Sequence, residues 1–171
     1  LTIILSKKGW IRARGGHSID LDTVSFKDGD GLAQAAECMT TDQVVFLGSS
    51  GKTWTLDAAS LPSGRGDGAP VNSLVNANGD EIVWMGTGRM DAMLLFHTTA
   101  GHGFLAQLKD MVTRIKAGKE FMKPAQGAKI LPPASVPVFA GDVSPRVAAL
   151  SSDSRLLVFL PLAGPMCLEA F

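Results

Sequence analysis

The feature that most constrains this chain is a hairpin spelled four times. Each copy has an apolar strand, a small polar turn and a second strand, and in the first three the turn closes on glycine and the second strand carries an aromatic near its start. The first copy is Ile3-Ile4-Leu5-Ser6-Lys7-Lys8-Gly9-Trp10-Ile11-Arg12 and the second is Val44-Val45-Phe46-Leu47-Gly48-Ser49-Ser50-Gly51-Lys52-Thr53-Trp54-Thr55-Leu56. The third is Leu94-Leu95-Phe96-His97-Thr98-Thr99-Ala100-Gly101-His102-Gly103-Phe104-Leu105. The fourth runs from Val147 to Phe159, with Ser154 where the others carry the turn glycine. The spacing is roughly 40 to 55 residues, the length of a propeller-type blade.

Glycine at such a turn supplies the positive φ that a tight hairpin demands. One hairpin cannot bury its apolar face alone, whereas stacked hairpins bury it against one another and leave turns and connectors as exposed edges. The expectation is an all-β, propeller-like domain over residues 1–171, with blade hairpins near 3–12, 44–56, 94–105 and 147–159 and about four blades. Composition agrees, at 46 % hydrophobic and 19 % charged with 19 Gly and 9 Pro, the profile of a turn-rich globular chain. The polar stretches Lys27–Gly31, Leu61–Pro70 and Asn76–Asp80 read as connectors between blades. Only Ala33–Met39, Asp57–Leu61 and Leu108–Ile115 offer a turn of helix.

Several chemistries find no anchor. The longest apolar stretches, such as Leu156–Leu162, fall well short of the roughly 18 residues that cross a bilayer. The opening residues lack the order of a signal peptide and do not begin with Met, which reads as a cut from a longer cytoplasmic protein. Gly48-Ser49-Ser50-Gly51-Lys52-Thr53 imitates the end of a phosphate-binding loop, but Phe46 stands where that motif needs glycine and a strand follows instead of a helix. Arg65-Gly66-Asp67 reads as a flexible turn. His17, His97 and His102 lack zinc-site spacing, and Cys38 and Cys167 form neither a metal knuckle nor a disulfide framework. Asp20, Asp22, Asp28 and Asp30 lack the alternation of a calcium loop and read as a solvated cluster beside Lys27. No catalytic residue, metal ligand or cofactor site is expected. The chain has no tyrosine, which excludes any mechanism built on a tyrosyl nucleophile.

The basic residues carry the functional reading. Net charge is formally zero, so nucleic-acid binding depends on where the cations stand and not on their number. Lys7, Lys8, Arg12 and Arg14 flank the first hairpin and Lys52 follows the second turn, with Arg65 in the glycine-rich connector beyond it. Lys109, Arg114, Lys116, Lys119 and Lys123 follow the third hairpin, and Arg155 marks the fourth turn. In stacked blades these positions line one rim as a discontinuous basic track, suited to phosphates and not to base edges.

The residues Ile4–Arg12 followed by Gly16-His17-Ser18-Ile19-Asp20 resemble the opening of the C-terminal domain of the A subunit of bacterial DNA topoisomerase IV. Leu61–Pro70 looks like that family's connector between two blades, and Gly101-His102-Gly103-Phe104 with Ala117-Gly118-Lys119 is similar to its third blade. The resemblance covers roughly residues 1–160. It implies a β-pinwheel in which four-stranded blades exchange a strand with their neighbours, and a non-catalytic role in binding duplex DNA along a basic outer rim. It also implies a cytoplasmic, chromosome-associated parent, peripheral at most to the inner membrane. That parent is an ATP-dependent type II topoisomerase in which two A subunits join the B subunits for decatenation and supercoil relaxation. Its ATP, magnesium and catalytic tyrosine belong to other domains.

Two alternatives stand beside it. The related gyrase A domain wraps DNA through an intact glutamine-arginine-glycine box, of which only Arg12-Ala13-Arg14-Gly15-Gly16-His17 is present here. A propeller-like scaffold for a protein partner would use apolar patches instead of a basic rim. After Phe159 the run from Leu160 to Cys167 departs from the family's basic, glycine-rich connector, so the resemblance leaves the fourth blade's completion and ring closure open.

Overall fold

The computed structural model describes residues 1–137, 146–150 and 154–160 and the backbone of 165–167. Strands β1 (Thr2–Ser6) and β2 (Trp10–Arg14) form the first hairpin, and β3 (Leu32–Glu37) follows. The second hairpin is β4 (Gln43–Gly48) with β5 (Lys52–Asp57), after which come the two-residue β6 (Ala69–Pro70) and β7 (Ile82–Gly86). The third, β8 (Met93–Thr98) with β9 (His102–Gln107), is likewise followed by a two-residue β10 (Lys119–Glu120) and by β11 (Ile130–Ser135). The fourth is β12 (Val147–Leu150) with β13 (Leu156–Phe159), and β14 (Pro165–Cys167) follows. All four expected hairpins form.

Sheet order reveals how they are joined. The sheets run β3-β1-β2-β6, β10-β5-β4-β7 and β11-β8-β9-β14, with β12-β13 as a separate pair. In each four-stranded blade a longer strand made after the hairpin, β3, β7 or β11, pairs with the hairpin's first strand. The fourth strand arrives only after the next hairpin has been made. Thus β6 pairs Ala69 with Ile11, β10 pairs Lys119 with Thr53, and β14 pairs Met166 with Gly103. This is the strand exchange of a β-pinwheel. The return to the third blade forms although its sequence is neither basic nor like the earlier connectors. Backbone pairing at a sheet edge asks little of the side chains. Residues 151–153 of the fourth turn and 161–164 of the final connector lie outside the described residues.

The hairpin turns are one geometry repeated. The amides of Gly9, Gly51 and Gly101 each donate to a carbonyl three residues back, of Ser6, Gly48 and Thr98, at 3.0 Å, and the three glycines have φ of 76°, 87° and 77°. Ser154, at the matching position, also has a positive φ, 67°. A second repeated turn precedes β3, β7 and β11, the strands that pair with the first strand of each of the first three hairpins. The amides of Asp30, Asp80 and Ala128 donate to the carbonyls of Lys27, Ala77 and Ala125, at 2.9 Å in each case. The carbonyls of Gly31, Glu81 and Lys129 then accept from the amides of Lys7, Ser49 and Thr99 at 2.8 Å. Asp30 and Asp80 clasp the hairpin turns through the amides of Lys8 and Ser50, both at 3.0 Å. Asp30 is therefore a latch and not merely one of a solvated acidic cluster. Desolvation pushes its pKa up, but hydrogen bonds from Ser6, Gly31 and Lys8 and the Lys8 charge together hold it below the ordinary aspartate value.

Two apolar layers lie between blades. Ile3, Leu5, Ile11 and Ala13 of the first blade meet Val44, Phe46 and Trp54 of the second. Val45 and Leu47, pointing the other way from β4, meet Leu94 and Phe96 of the third. The second blade is thus buried on both faces, and β4 reads as an unbroken apolar run. Between the first two blades the Gln34 side chain of β3 bonds both the amide and the carbonyl of Met85 in β7.

The expected helical turns fared differently. Ala33–Met39 is not helical, because Leu32–Glu37 is strand β3, paired along β1 from Thr2 to Ser6. Asp57–Leu61 and Leu108–Ile115 shrink to short 3₁₀ turns at Ala58–Ser60 and Leu108–Met111. The helix that does form, α1 (Val71–Leu74), begins after Pro70 at the end of a return strand. Among the described residues no helix is long and apolar enough to cross a membrane.

Candidate nucleic-acid interface

The two return connectors lead into β6 and β10, the edge strands of the first two blades. The stretch before β6 is tied to β2 where the amide of Ala13 donates to the Pro62 carbonyl at 2.8 Å. The stretch before β10 is tied to β5, with the Thr53 hydroxyl donating to the Met111 carbonyl at 2.8 Å and the Thr113 amide to the Thr55 hydroxyl at 3.0 Å. The amide of Asn76 reaches the Lys116 carbonyl at 3.3 Å, which joins one outer edge to the next. Glycine permits the close approach. Gly68 (φ 84°) and Gly118 (φ 85°) occupy matching places, and a Cβ on them would come within 2.1 Å of the Ile11 carbonyl and 2.7 Å of the Trp54 indole nitrogen.

These connectors carry Arg65, Arg114 and Lys116, all exposed. Arg14, at the end of β2, is half-buried because its stem lies against Gly64, where a Cβ would come within 2.3 Å of Arg14 Cγ. Lys119 sits in β10, and its ammonium donates to the Asp110 carbonyl at 2.7 Å. Lys109 is exposed on the 3₁₀ turn after the third hairpin, and Lys123 lies beyond β10.

A second set lies at the hairpin turns. Lys7 and Lys8 form the exposed tip of the first, with Lys8 Nζ donating to the Asp28 carbonyl at 3.1 Å. Lys52 opens β5 opposite Glu120 of β10, so the segment that imitates a phosphate loop is a hairpin turn running into a strand. Arg155 is exposed beside the fourth turn.

Arg12 departs from the expected pattern. It is 6 % exposed, and its guanidinium donates to the carbonyls of Gly66 and Ser25 while lying 5.4 Å from the Phe26 ring centroid. Its face of β2 is covered by the chain's own connector from Gly15 to Gly31, in which Val24 is buried. A solvent-facing role for Arg12 is therefore corrected to an internal one. Lys27 lies outside the basic track that the sequence suggests, yet its ammonium stands 3.4 Å from the Trp10 ring centroid and 3.8 Å from the Asp67 carboxylate. No local spacing links three such distant positions, so only the folded connector reveals them.

Among the described residues no group of three or more His, Cys, Asp or Glu is placed to hold a metal ion. Cys38 is buried, and desolvation pushes its thiol pKa up, the opposite of a reactive thiolate.

Comparison with known proteins agrees with this architecture. No family model matches the chain. The A subunit of DNA topoisomerase 4 from Neisseria gonorrhoeae is 44 % identical over 166 residues, covering 93 % of this chain and 21 % of that protein. The C-terminal domain of Escherichia coli ParC superposes with a TM-score of 0.83 at 32 % identity, over 93 % of this chain and 64 % of that one. A DNA gyrase A C-terminal domain shares the fold, with a TM-score of 0.58 at 20 % identity, over 93 % of this chain and 54 % of that one. The chain spans about a fifth of the length of the curated relatives it matches. In sequence and in fold it belongs to the C-terminal β-pinwheel family of the A subunit of bacterial DNA topoisomerase IV.

Proposed function

We propose that this chain is a non-catalytic domain that grips duplex DNA along its outer edge and steers substrate choice for the topoisomerase that carries it. The observation that carries the reading is the exposure of Arg65, Arg114 and Lys116 on the return connectors, with Arg14 and Lys119 beside them. Cations on successive outer edges suit a phosphate backbone that runs past several blades, and phosphate contacts position a duplex without reading its sequence. A formal net charge of zero limits the long-range attraction, so the grip is modest and strongly weakened by salt.

Strand cleavage, ATP coupling through the B subunit and the magnesium that serves them belong to other parts of the parent. Decatenation and supercoil relaxation by an assembly of two A and two B subunits are its work, and the cytoplasmic chromosome is where it acts. The parent's dependence on this domain follows from the same reading.

The test is duplex binding by fluorescence anisotropy across a salt series. The chain is expected to bind at low ionic strength with log K falling linearly in log salt, and charge reversal of Arg65, Arg114 and Lys116 to Glu is expected to abolish binding. Absence of binding at low salt, or affinity indifferent to the triple reversal, sinks the proposal.

A further inference from the structure

Arg12 stands three residues after the turn glycine of the first hairpin, the place that Trp54 and Phe104 hold in the second and third. Trp54 is buried in the layer between the first two blades, and Phe104 packs against the layer beyond. Arg12 is nearly as buried as an aromatic would be, at 6 % exposure, but it has no ion pair among the described residues. Its charge is met by two carbonyl dipoles and a ring face. A buried cation of this kind is costly unless its donors are used. The guanidinium can use them because its planar fork reaches two carbonyls in different segments at once.

Those segments are distant in sequence. Ser25 belongs to the connector that covers the first blade, and Gly66 belongs to the connector that returns from the second hairpin. Gly66 is the immediate neighbour of Arg65. The loop around it, Gly64-Arg65-Gly66-Asp67-Gly68, alternates glycine with charge, and two of its glycines have positive φ, 78° at Gly66 and 84° at Gly68. Such a composition supplies little stiffness of its own. Its flanks are held to β2 by the Ala13–Pro62 hydrogen bond and the Ile11–Ala69 pairing, and between them, besides the Arg12 bond, stands an exposed pair of Lys27 and Asp67 at 3.8 Å, of a kind that contributes little. The corresponding connector of the second blade is tied by Thr53, Thr55 and the Lys119 ammonium.

We infer that Arg12 is a positioning residue, which fixes the Gly64–Gly68 loop from inside so that Arg65 is presented beside Arg14 at the outer edge of the first blade. The inference rests on the rim reading above, and it moves Arg12 from a phosphate contact to the group that places one. A floppy Arg65 would lose ordering entropy each time it met a phosphate, and Arg12 removes that loss in advance.

A double-mutant cycle on the chain tests it, with duplex affinity measured at several salt concentrations and tryptic cleavage after Arg65 followed without DNA. Arg65→Gln is expected to weaken binding about fivefold and to reduce the salt slope by about 1. Arg12→Gln is expected to approach that loss, to hasten cleavage after Arg65, and to add less than about twofold in the Arg65→Gln background, because the two act through one contact. Arg12→Lys keeps the stem and the charge but cannot span both carbonyls. It is expected to fall between the unmutated chain and Arg12→Gln, and it carries the same test should the Gln variant fail to fold. An unmutated chain with no duplex affinity overturns the rim reading itself. An unmutated chain that binds, while Arg12→Gln binds equally well or loses affinity additively with Arg65→Gln, overturns the inference alone. Unchanged cleavage at Arg65 in both Arg12 variants does the same.

Discussion

The second blade and the fourth hairpin are written with the same pattern and live in opposite surroundings. In the second, β4 buries Val44 and Phe46 toward one neighbour and Val45 and Leu47 toward the other, all at 0 % exposure. In the fourth, Ala148 and Leu150 of β12 pair across to Val158 and Leu156 of β13 on one exposed face, and Leu150 is 73 % exposed. Leu47 and Leu150 hold the same place, four residues before the turn residue of each hairpin. A blade's burial therefore comes from its neighbours and not from its own pairing, as expected of a fold built from repeats.

The contrast is testable at three positions. The largest effect is expected from truncating the shared position. Leu47→Ala should cost about 2–5 kcal/mol, while Leu150→Ala should stay within about 0.5 kcal/mol. Urea unfolding of the two variants checks this, and an equal cost would mean that the fourth hairpin's outward face is covered in solution.

A smaller contrast is expected at the turns. Gly51→Ala places a Cβ where φ is 87° and where it would come within 1.8 Å of the Met122 carbonyl. It should destabilise by about 2–3 kcal/mol. Ser154→Gly relieves the same left-handed backbone with φ 67° and should stabilise by about 0.5 kcal/mol, because part of the relief is offset by a freer unfolded chain. A destabilising Ser154→Gly would show that the serine is held by something other than turn geometry.

The smallest effect concerns His97, which occupies the Leu47 position in the third blade and is half-buried. Desolvation lowers its pKa from 6.5, more than the Pro132 backbone hydrogen bond raises it. The folded state therefore binds its proton less readily than the unfolded chain. Stability from this group is complete above about pH 6.5 and falls as the pH drops below that value toward the lowered folded pKa. Thermal melts between about pH 7.5 and 5.5 should show a decline that His97→Gln removes. An identical decline in the variant would assign it to other groups.

The hairpins were legible because positive-φ glycine between apolar runs has few other uses. The sheets were less so. β6 and β10 are two residues long and lie within turn-rich connectors, so nothing local marks them as strands. Leu32-Ala33-Gln34-Ala35-Ala36-Glu37 favours helix by composition, and pairing with β1 overrides that preference. Among the basic residues, sequence placed Arg65, Arg114 and Lys116 in connectors that the fold exposes. It misjudged Arg12, whose burial depends on a distant loop folding over β2. The family resemblance supplied the strand exchange and the proposed ligand, which hairpin spacing alone left open between DNA and a protein partner.

The borrowed fourth strand also sets a timetable for synthesis. The first blade is finished by Ala69–Pro70, the second by Lys119–Glu120 and the third by Pro165–Cys167. Each of these segments leaves the ribosome only after the following hairpin has been made. A nascent chain therefore always carries one blade whose outer edge is unsatisfied, and that edge is a template for pairing with the wrong partner. Assembly proceeds like the casting-off of knitting, with every loop secured by its successor, and the last loop is the one exposed to misfolding.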